Sequence, residues 1–392
     1  MYASTKVRKH LLLTFADMRI AVNTRFLMPG KMEGIGHFTQ ETLQRIVKAH
    51  PEHQFHFIFD RPFSNNLLFE SNVTGEIASP PARHPFLWYY WFQFALPKAV
   101  KNFKADVLLS PDGYAPLGMS IPTVCVIHDL AFEYYPKHIN GLARWYYKRY
   151  TPLFAAESKR LVTVSEFSKQ SIIEKYGTNA DKIDVVFGAA SEVFQKMEQE
   201  QVQKIRQQYS LGEPYFIFVG ALHPRKNIAM MLKAYDHFKG KTAENVKMLI
   251  VGRKAWMTSE MEEVLSAMKA KSEVIFTDYL PHEEASKLIA ASLALVFVSK
   301  FEGFGLPILE GMHCEVPVIN SNTSSMPEVA GDATLQVDPE NMEEISAAMQ
   351  RLASEPELRT ELVNKGRLQR EKFSWDKTAE LLWASVEKAL KT

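Results

Sequence analysis

Short runs of apolar and β-branched residues alternate with longer amphipathic stretches along the chain of 392 residues. Strand-length runs separated by helix-length stretches predict βαβ units, in which the strands form parallel sheets. The alternation runs through the chain twice, so it predicts two sheets. The predicted strands lie at residues 19–23, 55–60, 106–109, 123–128, 161–164 and 183–187 in the first half, and at 215–219, 247–251, 273–276, 294–298 and 316–319 in the second.

A polar segment separates the two halves. Residues 188–212 are rich in Gln and Glu. The segment closes with Gly212-Glu213-Pro214, directly before an apolar run. Gly and Pro at such a place are typical of a boundary, and the total length suits two domains of ordinary size. We therefore predict an appendage at residues 1–17, Rossmann-like domains at 18–195 and 212–373, and a helix over 374–392.

Composition and charge narrow the class of protein. The 46 Lys and Arg residues balance 45 Asp and Glu, and 46% of the residues are hydrophobic. These values are typical of a soluble globular protein and argue against disorder and against binding nucleic acid by bulk charge. Residues 1–195 carry 22 cations against 17 carboxylates, a net charge of +5, and the remainder carries −4. Such a difference is usually incidental, but it would suit a first domain that faces an anionic lipid or glycan.

The cysteine content and the hydropathy of the chain indicate where in the cell the protein is expected. Cys125 and Cys314 are the only cysteines, which excludes a disulfide framework and a cysteine-rich zinc site and fits a reducing compartment. No stretch approaches the ~20 consecutive apolar residues that cross a bilayer. We expect a cytoplasmic protein that crosses no membrane.

The most informative motif is FEGFGLPILEGM, residues 301–312, which follows the predicted strand ending at residue 298. Pro307 suits the first turn of a helix, and Gly303 and Gly305 allow backbone amides to approach a ligand closely. A glycine loop that leads into a helix at the carboxyl end of a parallel strand forms an anion site, and a diphosphate would fit it.

Two glutamates of this motif lie eight residues apart. Glu302 is in the loop and Glu310 is about one turn into the helix, so both are expected to face one cleft at different depths. One carboxylate would then bind sugar hydroxyls and the other a ribose diol. The alternative interpretation is an ordinary strand-to-helix turn with one solvated and one capping glutamate.

The stretch EGFGLPILEGM resembles the signature of the retaining glycosyltransferases of family 4, which have the GT-B fold. It continues into the similar VPVINSNTSSMPEVAGDA, and further matches are Gly34-Ile-Gly36, Ile127-His128-Asp129, VSEFSK from Val164, VGALHPRKN from Val219 and Phe373-Ser374-Trp375. The resemblance covers residues 18–390. It implies an α/β protein with two Rossmann-like domains whose parallel sheets face each other across a cleft. The first would bind the acceptor, the second the donor, and the C-terminal helix would cross back to the first domain.

The resemblance also implies the donor site. Arg225 and Lys226 follow the first strand of the second domain, where family members place cations against the donor diphosphate. Fixed cations stabilise the charge on a departing nucleoside diphosphate most strongly in the transition state. The implied catalytic residues are His128, Arg225, Lys226 and Glu302, and the implied donor-binding residues are Gly34, Gly36, Gly220, Arg225, Lys226, Gly303, Phe304, Gly305, Leu306 and Glu310. We expect no metal and no cofactor, because the chain has no Asp-x-Asp motif and two cations already face the diphosphate.

One departure from the family pattern affects this site. Many members have Gly-Arg-Leu where this chain has Gly220-Ala221-Leu222. The guanidinium must therefore come from Arg225, or the phosphate is held more weakly than usual. Phe187 likewise stands where many members have Asn, which leaves no asparagine contact at that turn.

In the first domain, the family counterpart of His128 reaches the donor sugar near the anomeric carbon. Asp129 is expected to orient His128 or to cap the next element, on the acceptor side. Ser165 is interpreted as the N-cap of the following helix. Ser168 and Lys169 are predicted to line the acceptor side.

Gly34 and Gly36 occupy the predicted loop after the first strand, where bare backbone would contact donor phosphate or the acceptor. The alternative is a plain flexible turn. A dinucleotide fingerprint would require a third glycine at Thr39, so an NAD oxidoreductase is disfavoured.

Aromatic and basic residues cluster in the first domain. Residues 86–94 include seven aromatics in nine positions, and residues 144–150 read RWYYKRY. The first interpretation is helix faces that pack on the sheet. The second is a surface that receives a lipid-linked acceptor or rests on an anionic membrane.

Together these features predict a retaining hexosyltransferase of surface polysaccharide biosynthesis, resembling bacterial mannosyltransferases, with GDP-mannose as the first choice of donor. The acceptor would be a glycan or a lipid-linked glycan, and the protein would be cytoplasmic or peripheral to the inner face of the membrane. No nucleic-acid partner is expected. Two alternatives stay open: a nucleotide-sugar epimerase of the same fold, and a catalytically silent protein that binds sugar nucleotides.

Overall fold

The computed structural model describes residues 17–28, 32, 34–253 and 259–391. The predicted appendage therefore lies outside the described residues, apart from Asp17. The described chain forms two parallel sheets with helices on their faces, as the alternation of strands and helices predicts. The α/β class and the two Rossmann-like domains are confirmed.

The first sheet has seven strands in the order β3-β2-β1-β4-β5-β6-β7, and every paired neighbour is parallel. The strands are β1 (Arg19–Asn23), β2 (Gln54–Phe59), β3 (Val73–Ile77), β4 (Val107–Ser110), β5 (Thr123–Val126), β6 (Arg160–Thr163) and β7 (Ile183–Val185). The central strands β4 and β5 are buried along their whole length, which is why they read as continuous apolar runs. The sequence pattern missed β3, an edge strand with Thr74, Gly75 and Glu76 in its middle.

The second sheet has six strands in the order β10-β9-β8-β11-β12-β13, again all parallel. The strands are β8 (Tyr215–Val219), β9 (Lys247–Val251), β10 (Val274–Thr277), β11 (Ala294–Phe297), β12 (Val318–Ser321) and β13 (Leu335–Val337). The pattern missed β13, an edge strand of only three residues. In both sheets the chain reverses its direction of growth beside the first strand, between β1 and β4 and between β8 and β11. Ligands of open α/β sheets bind at the carboxyl ends of the strands at this switch point.

The helices are α1 (Gly34–Ala49), α2 (Pro85–Tyr90), α3 (Leu96–Phe103), α4 (Ala131–Tyr134), α5 (Gly141–Glu157), α6 (Glu166–Tyr176), α7 (Gln199–Ser210), α8 (Ile228–Lys241), α9 (Ser259–Ala267), α10 (His282–Ala290), α11 (Leu306–His313), α12 (Met326–Ala330), α13 (Met342–Ser354), α14 (Pro356–Arg370) and α15 (Trp375–Lys391). A π-helical turn, Trp91–Ala95, joins α2 to α3. The polar segment predicted as a break contains α7, whose Arg206 donates from Nε to the carbonyl oxygen of Ala291 at 2.8 Å. This helix therefore packs on the second domain.

The last helix returns to the first domain, which confirms the predicted crossover. Near its start, Asp376 accepts from Arg45 Nε of α1 at 2.7 Å. Near its end, Lys388 Nζ lies 2.7 Å from Asp184 of β7. Between them, the ring of Trp383 stacks on that of His50 with centroids 4.1 Å apart. No helix in the described ranges combines the length and the apolar composition needed to span a bilayer.

Candidate active site

The turn after β8 places two cations at the carboxyl edge of the second sheet. Residues Pro224–Lys226 form one 3-10 turn, and His223 caps it by accepting the backbone N–H of Arg225 at 3.2 Å. Asn227 follows with a φ of 63°, and its buried side-chain amide donates to the carbonyl oxygens of Val298 at 3.1 Å and Pro339 at 2.7 Å. The amide of Asn227 therefore ties this turn to the end of β11 and fixes where Arg225 and Lys226 point.

Both cations converge on Glu302. Arg225 Nη1 and Glu302 Oε2 are 2.7 Å apart, and Lys226 Nζ and Glu302 Oε1 are also 2.7 Å apart. Burial alone would raise the pKa of Glu302, but the charges of Lys226 and Arg225 outweigh it and lower the pKa from 4.5 to about 2. Burial lowers the pKa of Lys226, whose Nζ also lies 4.8 Å from the centre of the Phe297 ring. We call these three residues the cationic triad; its net charge is positive when all three are ionised.

The triad differs from the arrangement expected from the motif. Both carboxylate oxygens of Glu302 are held by cations, and its side chain is about 10% exposed. Glu302 therefore orients Arg225 and Lys226 and does not present its oxygens to sugar hydroxyls in this structure.

Hydroxyl groups of the loop after β12 hold the Glu302 loop in place. Ser324 Oγ accepts from the backbone N–H of Glu302 at 3.1 Å. Ser325 Oγ lies 2.9 Å from the carbonyl oxygen of Glu302 and 2.8 Å from that of Phe304. Ser321 Oγ donates to the carbonyl oxygen of Ser299 at 2.6 Å. The Ser-Asn-Thr-Ser-Ser stretch is thus a clamp on the site, a role that the sequence pattern alone did not reveal.

The start of α11 follows the triad. Gly305 has a φ of 110°, a conformation that a side chain would strain, and Pro307 lies in the first turn as predicted. The ring of Phe304 packs between those of Phe187 and Phe373, with centroids 6.2 and 5.8 Å away. A Cβ added to Gly188 would lie 3.4 Å from side-chain atoms of both Phe304 and Leu306, so both side chains pack near the end of the first domain.

Glu310 lies in the second turn of α11 and is partly buried. Burial raises its pKa from 4.5 to about 7, although the charge of Lys226 opposes the rise. The predicted contact between Glu310 and a ribose diol stays a prediction.

Gly303 has a role that its motif did not suggest. A Cβ at this position would lie 2.6 Å from the carbonyl oxygen of His128 and 2.8 Å from Cβ of Asp129. Its own carbonyl oxygen accepts from Ser165 Oγ at 2.7 Å and lies 3.3 Å from Ser168 Oγ. Gly303 is therefore required for close approach of the two domains, and its predicted contact with the donor stays a prediction.

The predicted acceptor-side residues belong partly to this contact. Ser165 is the N-cap of α6, as predicted, and accepts from the backbone N–H of Ser168 at 3.0 Å. Ser168 is buried, and its hydroxyl lies 3.2 Å from the carbonyl oxygen of His128, so it turns to the interface and not to an open acceptor surface. Lys169 is partly buried. Glu328 of α12, which the sequence analysis did not single out, accepts the backbone N–H of Glu166 at the start of α6, with both carboxylate oxygens 3.0 Å from that nitrogen.

His128 follows β5, and its backbone carbonyl lies at the contact with Gly303, the residue after Glu302. Its Nε2 lies 2.7 Å from the carbonyl oxygen of Pro111, which only accepts, so Nε2 carries the proton. Burial lowers the pKa of His128, which keeps the ring neutral and Nδ1 unprotonated. Asp129 Oδ1 accepts from the backbone N–H of Ala131 at 2.8 Å and so caps the next element, one of its two predicted roles.

A buried ion pair behind His128 escaped the sequence analysis. Arg25, after β1, donates from Nε to Oδ2 of Asp112 at 3.0 Å, and both side chains are almost fully buried. Asp112 follows Pro111, whose carbonyl orients the histidine. The only signal in the sequence is the position of each residue just after a strand.

Gly34, Gly36 and Gly220 are the remaining glycines predicted to bind the donor. Gly36 and Gly220 lie where two backbone segments come close together. Gly34 and Gly36 are in the first turn of α1, not in a loop as predicted. A Cβ on Gly36 would lie 2.8 Å from the carbonyl oxygen of Phe26, whereas Gly34 has open space. The carbonyl oxygen of Gly220 would lie 2.1 Å from a Cβ on Gly252.

One group of metal-ligating side chains exists among the described residues, formed by His50, Glu52 and His53. The Nδ1 of His53 accepts from the backbone N–H of Met18 at 3.3 Å, so Nε2 of a neutral ring carries the proton. This proton points to Glu52, 3.4 Å away, and leaves no lone pair for a metal on that nitrogen.

Comparison with known proteins agrees with this geometry. Residues 201–369 match the family model for glycosyl transferases group 1, and residues 32–189 match glycosyltransferase family 4. The O-antigen chain mannosyltransferase B of Escherichia coli is 28% identical over 362 residues, which are 88% of this chain and 93% of that protein. The serotype-specific mannosyltransferase WbdA of Escherichia coli is 27% identical over 268 residues, which are 66% of this chain and only 32% of WbdA.

Sucrose-phosphate synthase from Thermosynechococcus elongatus superposes with a TM-score of 0.77 at 15% identity, over 95% of this chain and 98% of that one. This likeness concerns the fold alone. The fold and the two family models define a hexosyltransferase of the GT-B fold. The chain belongs to the glycosyltransferases that join a family 4 domain to a group 1 domain.

Proposed function

We propose that the chain transfers mannose from GDP-mannose, with retention of anomeric configuration, to a glycan or lipid-linked glycan of a surface polysaccharide. The observation that carries the proposal is the cationic triad of Arg225, Lys226 and Glu302 at the switch point of the second sheet. The names of the similar Escherichia coli proteins support mannose as the sugar.

In the proposed complex the donor diphosphate lies against the triad and the first-turn amides of α11. Arg225 and Lys226 carry two positive charges against one carboxylate, so the triad still attracts an anion. Negative charge grows on the diphosphate as the glycosidic bond breaks, and cations already in position stabilise it without reorganisation. Glu310 would bind the ribose hydroxyls through an ionised carboxylate.

The neutral ring of His128 offers Nδ1 to a hydroxyl of the donor sugar. Glu302 is a poor covalent nucleophile because both of its oxygens pair with cations and its pKa is about 2. We therefore favour front-face displacement. In that step the acceptor hydroxyl oxygen bonds to the anomeric carbon, the bond to the diphosphate oxygen breaks on the same face, and the departing phosphate takes the hydroxyl proton.

A lipid-linked acceptor would place the enzyme at the inner face of the cytoplasmic membrane as a peripheral protein. The net charge of +5 on residues 1–195 supports this location.

A thermal-shift screen with GDP-, UDP- and ADP-sugars tests the donor, because a ligand that binds the folded state raises its melting temperature. We expect the largest shift with GDP-mannose, and transfer with the α anomer retained when acceptor is added. Isomerised sugar nucleotide formed from donor alone would indicate an epimerase. Binding without transfer to a panel of lipid-linked acceptors would indicate a silent binding protein.

A further inference from the structure

Aromatic side chains on the outer surface of the first domain are exposed to solvent. Phe86 is 67% exposed, Phe94 and Trp145 are each 55% exposed, and Tyr90 and Tyr89 are 49% and 41% exposed. Tyr279 is the one other aromatic side chain with comparable exposure in the ranges that the structure describes. Exposed aromatics are thus concentrated at one place, which single surface residues scattered by chance would not be.

These five residues form one continuous surface, which we call the aromatic face. Phe86, Tyr90 and Phe94 follow one another at a spacing of four along α2 and the π-helical turn, and the Tyr90 and Phe94 rings are 5.4 Å apart. Tyr150 of α5 bridges to the second helix, since its ring lies 5.6 Å from that of Tyr89 and 6.0 Å from that of Trp145.

The opposite side of the same helix already fills the core. Trp91 and Phe92 are fully buried, and Trp91 Nε1 donates to the carbonyl oxygen of Ala78 at 2.7 Å. The first of the two sequence interpretations, helix faces that pack on the sheet, is therefore right for this side of the helix. Packing against the sheet accounts for the inner aromatics and leaves the outer ones unexplained.

The segments that carry the aromatic face are rich in cations. Residues 77–105 and 134–156 contain no Asp or Glu. They contain eight cations: Arg83, Lys98, Lys101, Lys104, Lys137, Arg144, Lys148 and Arg149. Of these, Lys148 lies 3.5 Å from Glu133 and is neutralised by it. Exposed aromatics beside unopposed Lys and Arg are the combination that binds the interface of an anionic bilayer, with rings among the headgroups and cations against the phosphates.

Segments adjacent to the aromatic face reach the second domain and the carboxyl edge of the first sheet. The segment before α5 reaches the second domain, where Tyr135 OH lies 3.5 Å from the carbonyl oxygen of Lys300. The ring of Trp88, within α2, lies 5.8 Å from that of Tyr114, which follows β4. The helix that carries the face thus contacts the carboxyl edge of the first sheet.

We propose that the aromatic face, with Lys98, Lys101 and Arg149 around it, docks the first domain on an anionic lipid bilayer. Docking would serve the proposed transfer to a lipid-linked acceptor, and in this respect the inference rests on the proposed function. Its test needs neither donor nor acceptor.

The test is flotation of the full chain with vesicles of phosphatidylcholine alone or with about one third phosphatidylglycerol. We expect binding to the anionic vesicles only, and weaker binding as salt rises. The double variant Phe94→Ser/Trp145→Ser and the double variant Lys98→Glu/Lys101→Glu should each lower partitioning by at least about tenfold. All four positions are exposed, so the melting temperature should stay within a few degrees of the wild type.

Matched controls are available on the second domain. Tyr279→Ser removes an exposed aromatic, and Lys269→Glu/Lys271→Glu reverses two exposed charges, and all three sites lie outside the aromatic face. Both controls should bind vesicles as the wild type does.

Several results would overturn the inference. These are no binding of the wild type to anionic vesicles, equal binding to neutral ones, or equal loss in the controls. A dimer in solution that the Phe94→Ser/Trp145→Ser variant dissociates, with vesicle binding absent, would show that a second copy covers the face. Transfer to a detergent-dispersed acceptor is measured in parallel. If the wild type binds anionic vesicles but transfers no sugar to this acceptor, the proposed function is refuted and the docking face stands.

Discussion

The substitution Lys226→Met tests the role of the cationic triad. Methionine keeps most of the apolar stem against the Phe297 ring but removes the ammonium 2.7 Å from Glu302 Oε1. A unit charge about 4 Å from a phosphate oxygen contributes on the order of 4 kcal/mol in a site of effective dielectric constant about 20. Only the part of this interaction energy that develops as the glycosidic bond breaks changes the rate. Loss of one fixed electrostatic group at a reacting oxyanion typically lowers kcat by about 10² to 10³, and we expect this range here.

Donor binding should change much less than the rate. Arg225 and the amides of α11 still hold the ground-state diphosphate, so the Kd of the donor should rise by less than about tenfold. The fold should tolerate the change, because Arg225 still pairs with Glu302 at 2.7 Å and no buried charge is left without a partner. Initial rates at saturating donor, together with calorimetric titration of the donor, separate the two effects.

Lys247→Met is the matched control. The side chains of Lys226 and Lys247 are 15% and 16% exposed, and each lies beside one glutamate, Glu302 at 2.7 Å and Glu273 at 3.6 Å. Lys247 begins β9, at the amino edge of the sheet, away from the carboxyl edge. A Lys226→Met enzyme with a kcat within about threefold of the Lys247→Met enzyme would refute the assignment of the diphosphate to the triad.

Three further substitutions have defined outcomes. Burial raises the pKa of Glu310 from 4.5 to about 7, so stability falls as pH rises between those values. Glu310→Gln should therefore raise the melting temperature above about pH 8 and not below about pH 4, by up to about 3 kcal/mol in unfolding free energy, and should weaken donor binding. Gly303→Ala places a Cβ 2.6 Å from a carbonyl oxygen of the first domain and should lower kcat more than tenfold with the circular dichroism unchanged. Gly240→Ala, where the added Cβ meets nothing within 4 Å, should be silent; equal rates for the two variants would contradict the close contact. Asp112→Asn leaves the Arg25 guanidinium buried without its counter-charge, so urea unfolding should show a loss of about 3 to 5 kcal/mol, and a loss below about 1 kcal/mol would show that the pair is not needed.

Much of the fold follows from local pattern. Strands such as β5 and β11 are buried on both faces, so each must be a continuous apolar run and can be found without knowledge of its neighbours. Edge strands are held by one neighbour only, and polar residues are tolerated in them. For this reason β3 and β13 left no clear pattern.

The residues of the candidate active site also fall into two groups, those that local sequence patterns reveal and those that they do not. Arg225, Lys226, Glu302 and Gly305 could be picked out because short loops after parallel strands bring them to one edge of one sheet. Arg225, Lys226 and the turn of α11 are local features of a single domain. Their positions were therefore available from the chain alone.

Contacts between the domains were not available in that way. The sequence determined that Gly303 lacks a side chain and that Ser168 carries a hydroxyl. Only the tertiary structure decided that Gly303 meets the backbone of His128 and that Ser168 lies inside this interface. The physical reason is that Gly303 lies 135 positions from Ser168, its contact across the interface, and belongs to the other sheet. Whether a glycine or a serine faces a ligand or another domain depends on how the sheets dock, and that arrangement is set by the sum of contacts along the whole chain, including the returning helix α15.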